Sequence, residues 1–300
     1  MLRCVKQLAA KHSEAKHSGA TPPGSKPPCT PAAPAAVSEF EGSLSLTPTD
    51  DESTFDVELP PTWMSLVGIH GGFLAAVATS AAEHVVEGRA ARTVATSFQR
   101  RAVTGPAQVR VDVDRDGRSL STVTVTVSQL GSTVASVRVT LTADLVGVEW
   151  SDPAPIDLPP PGSCERIRPH APIEHFERLD SLIDPSSLPF TGGDRAMVRG
   201  YLRPLEPHPI GAPWLAMASD WFPPAAFVRL EPPLGGVSVD LTTHVHRTID
   251  DLDGAWLTAS FEITTSSGGL AVEHGEIRTV DGGLLAESFQ TRFVATGAAS

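Results

Sequence analysis

His70-Gly71-Gly72-Phe73-Leu74-Ala75-Ala76-Val77-Ala78 opens an apolar run that reads as a helix to about Val86. Its small side chains suit a helix packed tightly inside a sheet, and the two glycines leave the first backbone N–H groups unshielded. Beyond the helix the pattern changes to period two. Thr93–Arg100, Gln108–Asp114, Leu120–Gln129 and Thr133–Thr142 read as antiparallel strands, β-branched on one face and polar on the other. Turns fall at Asp114–Gly117 and Leu130–Ser132, and Thr54–Leu59 reads as a strand ahead of the helix.

The same order then recurs. A second helix is expected over about Ala212–Asp220, ended by Pro223-Pro224, after strand-like segments near His175–Leu179 and Met197–Leu202. Strands are expected over Val237–Arg247, Trp256–Thr265, Leu270–Val280 and Leu284–Ala295, with a turn at Asp281-Gly282-Gly283. Gly131 precedes Val139 by eight residues and Gly282 precedes Gln290 by eight, so the copies align at their last hairpin without a gap. They differ in one respect. The second helix, Trp214-Leu215-Ala216-Met217-Ala218-Ser219-Asp220, carries a carboxylate among apolar residues. An ionised carboxylate there is costly unless it is paired or used, so Asp220 leads the search for chemistry.

Composition narrows the classes. The chain has 300 residues, 41% hydrophobic and 19% charged, which is a globular composition with room for a large core. No apolar run approaches the ~18 residues of a membrane span. A net charge of −12 argues against a nucleic-acid partner. The three cysteines, Cys4, Cys29 and Cys164, make neither a disulfide framework nor a metal spacing, so a reducing, cytoplasmic setting and no metal or cofactor are expected. All four lysines lie in the first 26 residues; residues 1–37 carry five positive charges and one negative, so the remainder carries −16. With its Pro/Ala-rich continuation, the stretch 1–45 reads as a disordered tail. If residues 1–37 act as a transit peptide, mitochondrial import would be expected, although Glu14 and the scarcity of Arg and Ser weigh against this. The remaining boundaries are a first domain over 46–150, a proline-rich linker over 151–163 and a second domain over 164–296.

The quoted residues resemble the acyl-CoA thioesterase II (TesB-like) family of double hotdog proteins. The likeness rests on Gly71-Gly72 at the first helix, the hairpin Val111-Asp112-Val113-Asp114-Arg115-Asp116-Gly117-Arg118-Ser119, and Gln129-x-Gly131. In the second copy it rests on Ser219-Asp220, Ser238-x-Asp240 and Leu284-Leu285-Ala286-Glu287-Ser288-x-Gln290. It spans about residues 50–296. The resemblance implies an α+β double hotdog: two tandem domains, each a long helix wrapped by an antiparallel sheet, the sheets joined into one. It also implies hydrolysis of acyl-CoA by a water held by Asp220, Ser238 and Gln290. Two departures stand out: Ser238 replaces a Thr, and Leu241 follows Asp240 where a His is common.

Thioester hydrolysis needs an activated water and donors for an oxyanion. Asp220 suits the first task, with Ser238 and Gln290 on neighbouring strands. Its bland alternative is a helix C-terminal residue in solvent or paired with an Arg. His70, Gly71 and Gly72 form the expected substrate-binding segment, the helix start offering N–H groups to the thioester carbonyl. His70 could equally cap the helix or pack in its loop. His244 and His246 share a strand face, with no third metal ligand evident in the sequence. Arg100, Arg101, Arg115 and Arg118 are candidates for CoA phosphates, and each could instead be a surface ion-pair partner. A non-catalytic hotdog module that binds an acyl chain or thioester is the alternative to an enzyme, an enoyl hydratase a more distant one, and association into a homo-oligomer is left open.

Overall fold

The computed structural model describes residues 38–167, 173–231 and 234–296. The first copy comprises β2 (Thr54–Leu59), α2 (Gly71–Val85), β3 (Ala90–Phe98), β4 (Gly105–Asp116), β5 (Leu120–Gln129) and β6 (Ser132–Thr142), preceded by a short helix α1 (Glu39–Ser43) and β1 (Thr47–Pro48). The second comprises β7 (Glu165–Arg166), β8 (Leu179–Ile183), β9 (Ala196–Pro204), α3 (Ala212–Ala218), α4 (Ala226–Arg229), β10 (Leu234–Val245), β11 (Leu257–Ser267), β12 (Leu270–Thr279) and β13 (Leu284–Thr296). These strands form one sheet in the order β1-β2-β4-β5-β6-β3-β10-β13-β12-β11-β9-β8-β7, every pair antiparallel. Read outward from the central β3–β10 seam, the two halves carry the same order. The seam pairs Thr93 with His244 through Ser97 with Asp240.

Period-two patterning explains the strands. On β5, Val123, Val125 and Val127 are fully buried, and the intervening threonines are half-exposed. These valines, with Val109, Val111, Val137 and Val139, line the inner face against α2, which is buried from Gly72 through Thr79. Among the register shifts in each half, one falls at the same place in both. Register slips between Ala91 and Thr93 where β3 meets β6, and between Ser238 and Asp240 where β10 meets β13. Each slip is a β-bulge, which inserts one residue and flips the inward phase beyond it. On β10 the bulge lets Ser238 share the inner face with Leu241, Thr243 and Val245 despite their opposite parity.

Several elements depart from the sequence reading. The second helix is not long: α3 has seven residues and ends at Ala218, because the Trp221–Pro224 segment beyond it cannot continue it. Asp220 therefore sits in the turn past the helix end, its N–H bonded to Met217 O at 3.2 Å. Residues 174–177 form a 3₁₀ turn rather than a strand, and pairing begins at Leu179. Of the expected disordered tail, residues 1–37 lie outside the described residues. Ser38 closes a capping box with Glu41 on α1, and Phe40 packs edge-on to Trp63 at 5.9 Å. The linker has no regular element before Pro161 but is bonded to the second copy, Ala154 N–H to Gly282 O and Tyr201 Oη–H to Pro159 O.

The glycine pair has a steric cause. A Cβ on Gly72 would stand 2.4 Å from Met217 O and 3.0 Å from Asp220 Cβ; one on Gly71 would stand 2.9 Å from both Asp220 Oδ2 and a Phe98 ring carbon. The end of α3 thus rests directly on the start of α2. Gly72→Ala is expected to lower stability by about 1–3 kcal/mol in urea unfolding. Gly42→Ala, where nothing lies within 4 Å, serves as the control and should show no such loss.

Candidate active site

Asp220 points its carboxylate at the first turn of α2. Oδ2 accepts the Gly72 N–H at 3.0 Å, and Oδ1 accepts Gln290 Nε2 at 2.7 Å and Arg292 Nη2 at 3.3 Å. The same Gln290 nitrogen donates to Ser238 Oγ at 2.6 Å, so the structure brings Asp220, Ser238 and Gln290 into one cluster. His70 is also part of it. Its Nδ1 accepts the Phe73 N–H at 3.2 Å as the helix cap, and its Nε2 lies 2.8 Å from Asp220 O and 3.6 Å from Oδ2. Capping by Nδ1 assigns the proton of the neutral ring to Nε2, which then donates to Asp220 O. Gly72 does not offer its N–H to the outside, contrary to the expectation from sequence; that donor is spent on Asp220.

Two charged residues of the cluster carry no signal in the sequence reading. Arg292 lies two residues past Gln290 on the inner face of β13 and is 4% exposed. It donates to Ser238 Oγ at 3.3 Å, to Asp220, and through Nε to Glu273 Oε1 at 2.8 Å. Glu273, on β12 opposite Gln290, accepts the Ala225 N–H at 2.7 Å with its other oxygen. What could have found them is position: Arg292 follows Gln290 by two residues in phase with the buried Ala286, Ser288 and Val294, and Glu273 is in phase with the buried Ala271 and Gly275.

Burial drives the Asp220 carboxyl upward, but His70, Arg292, the Gln290 amide and the Gly72 N–H together outweigh it and hold it below the usual aspartate range. Burial also works against the Arg292 charge, and Glu273 and Asp220 more than restore it. Beneath His70 lies His175, rings 4.5 Å apart and nearly parallel, its Nδ1 on Met64 O at 3.2 Å. Burial first and His70 second push His175 down to about 3, so this ring is neutral packing. Trp63, Phe73, Trp214 and Trp221 are all buried; Trp63 stacks on Phe73 at 4.5 Å and Trp221 meets His175 edge-on.

The first copy holds the apolar counterpart of this cluster. Aligned from the last hairpin, Gln290 corresponds to Val139 and Arg292 to Leu141. Register carries this across the sheet: Val139 faces Val123 as Gln290 faces Glu273, and Leu141 faces Ala91 as Arg292 faces Ser238. Ala91, Val123, Val139 and Leu141 are at most 1% exposed. The same sheet positions are thus packed with hydrocarbon in one half and with a charged network in the other.

The Arg-Asp-Gly-x-Ser hairpin plays a different part. Asp116 accepts Ser121 Oγ–H at 2.7 Å and pairs with Arg89 Nη1 at 3.1 Å, while Arg89 Nη2 bonds Gly117 O, tying the β4–β5 turn to the segment after α2.

Tandem halves with one helix start facing one acid define a double hotdog protein, and the comparisons agree. Solved structures similar to this chain include a hot dog fold protein of unknown function from Alicyclobacillus acidocaldarius, with 21% identity, TM-score 0.78, and coverage of 88% of this chain and all of that one. A putative thioesterase II from Thermobifida fusca has 23% identity, TM-score 0.73, and coverage of 86% and 98%. An acyl-CoA thioesterase II from Mycobacterium marinum has 22% identity, TM-score 0.70, and coverage of 87% and 98%. At these identities the likeness establishes the fold. No curated protein matches the sequence. The acyl-CoA thioesterase N-terminal domain family matches residues 59–144 and the C-terminal domain family residues 152–294. The chain belongs to the acyl-CoA thioesterase family and is a thioester hydrolase. Among the described residues, no helix is long and apolar enough to cross a membrane.

Arg292→Leu strips the countercharge from two buried carboxylates and is expected to cost about 3–5 kcal/mol in urea unfolding at pH 7. Adding Glu273→Val, as in the first copy, should recover most of that loss, and a double-mutant cycle measures the coupling. The Asp220 share of the wild-type stability is present above the ordinary aspartate value of about 3.9 and fades as pH falls through its lower folded value.

Proposed function

We propose that this chain hydrolyses acyl-CoA through a water molecule held and activated by Asp220, Ser238 and Gln290. The observation that carries the reading is the buried charged network around Asp220, built at sheet positions where the first copy has buried apolar residues. Replacing a buried ionic cluster by hydrocarbon is commonly neutral or stabilising, so folding gives no reason to keep one.

The remaining hydrogen-bonding capacity suits a water. Ser238 Oγ accepts from Gln290 and Arg292, which leaves its own hydrogen to donate. Gln290 Oε1 is buried and has no partner among the described residues. A molecule between them must both donate and accept. In the proposed step its oxygen attacks the thioester carbon, Asp220 takes the proton, the C–S bond breaks, and the thiolate leaves and is protonated in turn. With the Gly72 N–H committed to Asp220, the Gly71 N–H is the helix-start donor for the carbonyl oxygen, aided by the partial positive charge there. No nucleophile-elbow motif suggests a seryl intermediate.

The candidate phosphate contacts differ in their distance from the start of α2. Arg100 and Arg101 come two and three residues after Phe98, which touches Gly71. Phe98 pairs across to Ala135, Val127 and Val109, and Arg115 lies six residues, about 20 Å, along the strand from Val109. Arg100 and Arg101 thus lie nearer the start of α2 than Arg115 does, and a CoA molecule, whose phosphates stand a pantetheine arm away from its sulfur, leaves both groups as candidates.

A free-thiol assay on short-, medium- and long-chain acyl-CoAs tests the reading. Asp220→Asn is expected to lower kcat by roughly 10²–10⁴-fold with a small change in KM. The acid limb of wild-type kcat should lie below the ordinary aspartate value, since the base must be ionised. Undiminished turnover in Asp220→Asn would refute the mechanism, and saturable acyl-CoA binding without turnover at any chain length would favour a binding module.

A further inference from the structure

The outer face of the second half carries a cluster that the proposed chemistry does not use. His244 and His246 mark it in the sequence, and the fold supplies ligands from other strands. Glu287 on β13 stands opposite His244 on β10 and opposite Glu276 on β12. His274, two residues before Glu276 on the same face, sets its Nε2 2.9 Å from Glu287 Oε1. His246 Nε2 lies 3.9 Å from the other Glu287 oxygen. Ligand atoms of His274, Glu276 and Glu287 all fall within 4.8 Å of one another.

We propose that His274, Glu276 and Glu287, joined by His246, bind one divalent first-row transition-metal cation on the sheet face opposite Asp220. Imidazole and carboxylate donors without thiolate suit zinc, nickel or cobalt rather than magnesium, which prefers oxygen ligands and retained waters. Donors around a tetrahedral zinc ion sit roughly 3.3–3.5 Å apart, a contraction that rotation of the glutamate and histidine side chains supplies. Two carboxylates directly opposite on neighbouring strands repel, and a cation between them removes that cost. The surroundings orient the ligands. The His274 ring stacks on Phe289 at 4.9 Å, and Arg278 Nε holds Glu276 Oε2 at 2.9 Å, leaving Oε1 to the metal. The four side chains are 29–44% exposed, so the ion reaches the site from solvent and can keep a water. Glu287 lies three residues before Gln290 and faces the other way, so the ion would brace the strand that carries Gln290 and Arg292.

Isothermal titration calorimetry of the full chain with ZnCl₂ and, separately, MgCl₂ tests this. Wild type should show one saturable Zn²⁺ site on the sheet and no Mg²⁺ site. His274→Ala and Glu287→Gln should each weaken that Zn²⁺ site at least about tenfold. Absence of a saturable Zn²⁺ heat in wild type would overturn the proposal. So would a Zn²⁺ isotherm unchanged in both variants, which would place the ion elsewhere in the chain. Should either variant fail to melt cooperatively by circular dichroism, Glu276→Gln and His246→Ala give the same comparison.

Discussion

A hydrogen bond from the Gly72 N–H to Asp220 Oδ2 joins the end of one copy's helix to the start of the other's, and much of the architecture answers to it. A carboxylate can approach a helix N-terminus this closely only if nothing projects from the first turn, which requires two glycines. Once buried, its charge requires a partner, and Arg292 is the one permanent cation bonded to it among the described residues. Arg292 in turn is over-compensated only with Glu273 beside it, and the second oxygen of Glu273 takes up the Ala225 N–H at the start of α4. Each buried polar group creates the demand that the next one meets.

Past α3 the chain tightens into its last turn: Asp220 N–H bonds Met217 O and Trp221 N–H bonds Ala218 O, which sets the acid over the start of α2, and Pro223 and Pro224 bar any further helix. Trp221 is held edge-on against the His175 ring, which packs under His70. The aromatic layer is therefore the mechanical support of the charged one: His70 is fixed from below by His175, from its own helix by the Phe73 N–H, and from Asp220 by the carbonyl.

The sheet is largely legible in the sequence because period-two alternation is a local property. β2 and β5 fall on the expected residues, and the hairpin spacing that aligns Val139 with Gln290 holds along the last strand, though the facing residues Val123 and Glu273 are one position out of step with it. The site is legible in part. Asp220, Ser238 and Gln290 stand together, but the acid reads as part of a helix because Trp214–Ala218 is uniformly apolar and the turn after it has no glycine to mark it. Arg292 and Glu273 are hidden for a different reason. A charged residue on a strand reads as solvent-facing by default, and only its phase relative to Gln290, Val294 and Ala271 shows otherwise. The bulge at Val239 hides Ser238 in the same way, since parity counted back from Leu241 turns it outward. His175 reads as strand because its 3₁₀ turn runs directly into one.

The apolar counterpart in the first half bears on how the protein can change. In a symmetric dimer every substitution is made twice, so an arginine introduced into one inner sheet would appear in both, and each would need its own pair of acids. A fused chain is free of that doubling. Leu141 and Arg292 can diverge independently, and a mutation in the charged half is felt once. Half of the inner sheet can thus be selected for packing alone while the other half accumulates polar groups, and a duplicated scaffold becomes one stable half that tolerates a demanding one.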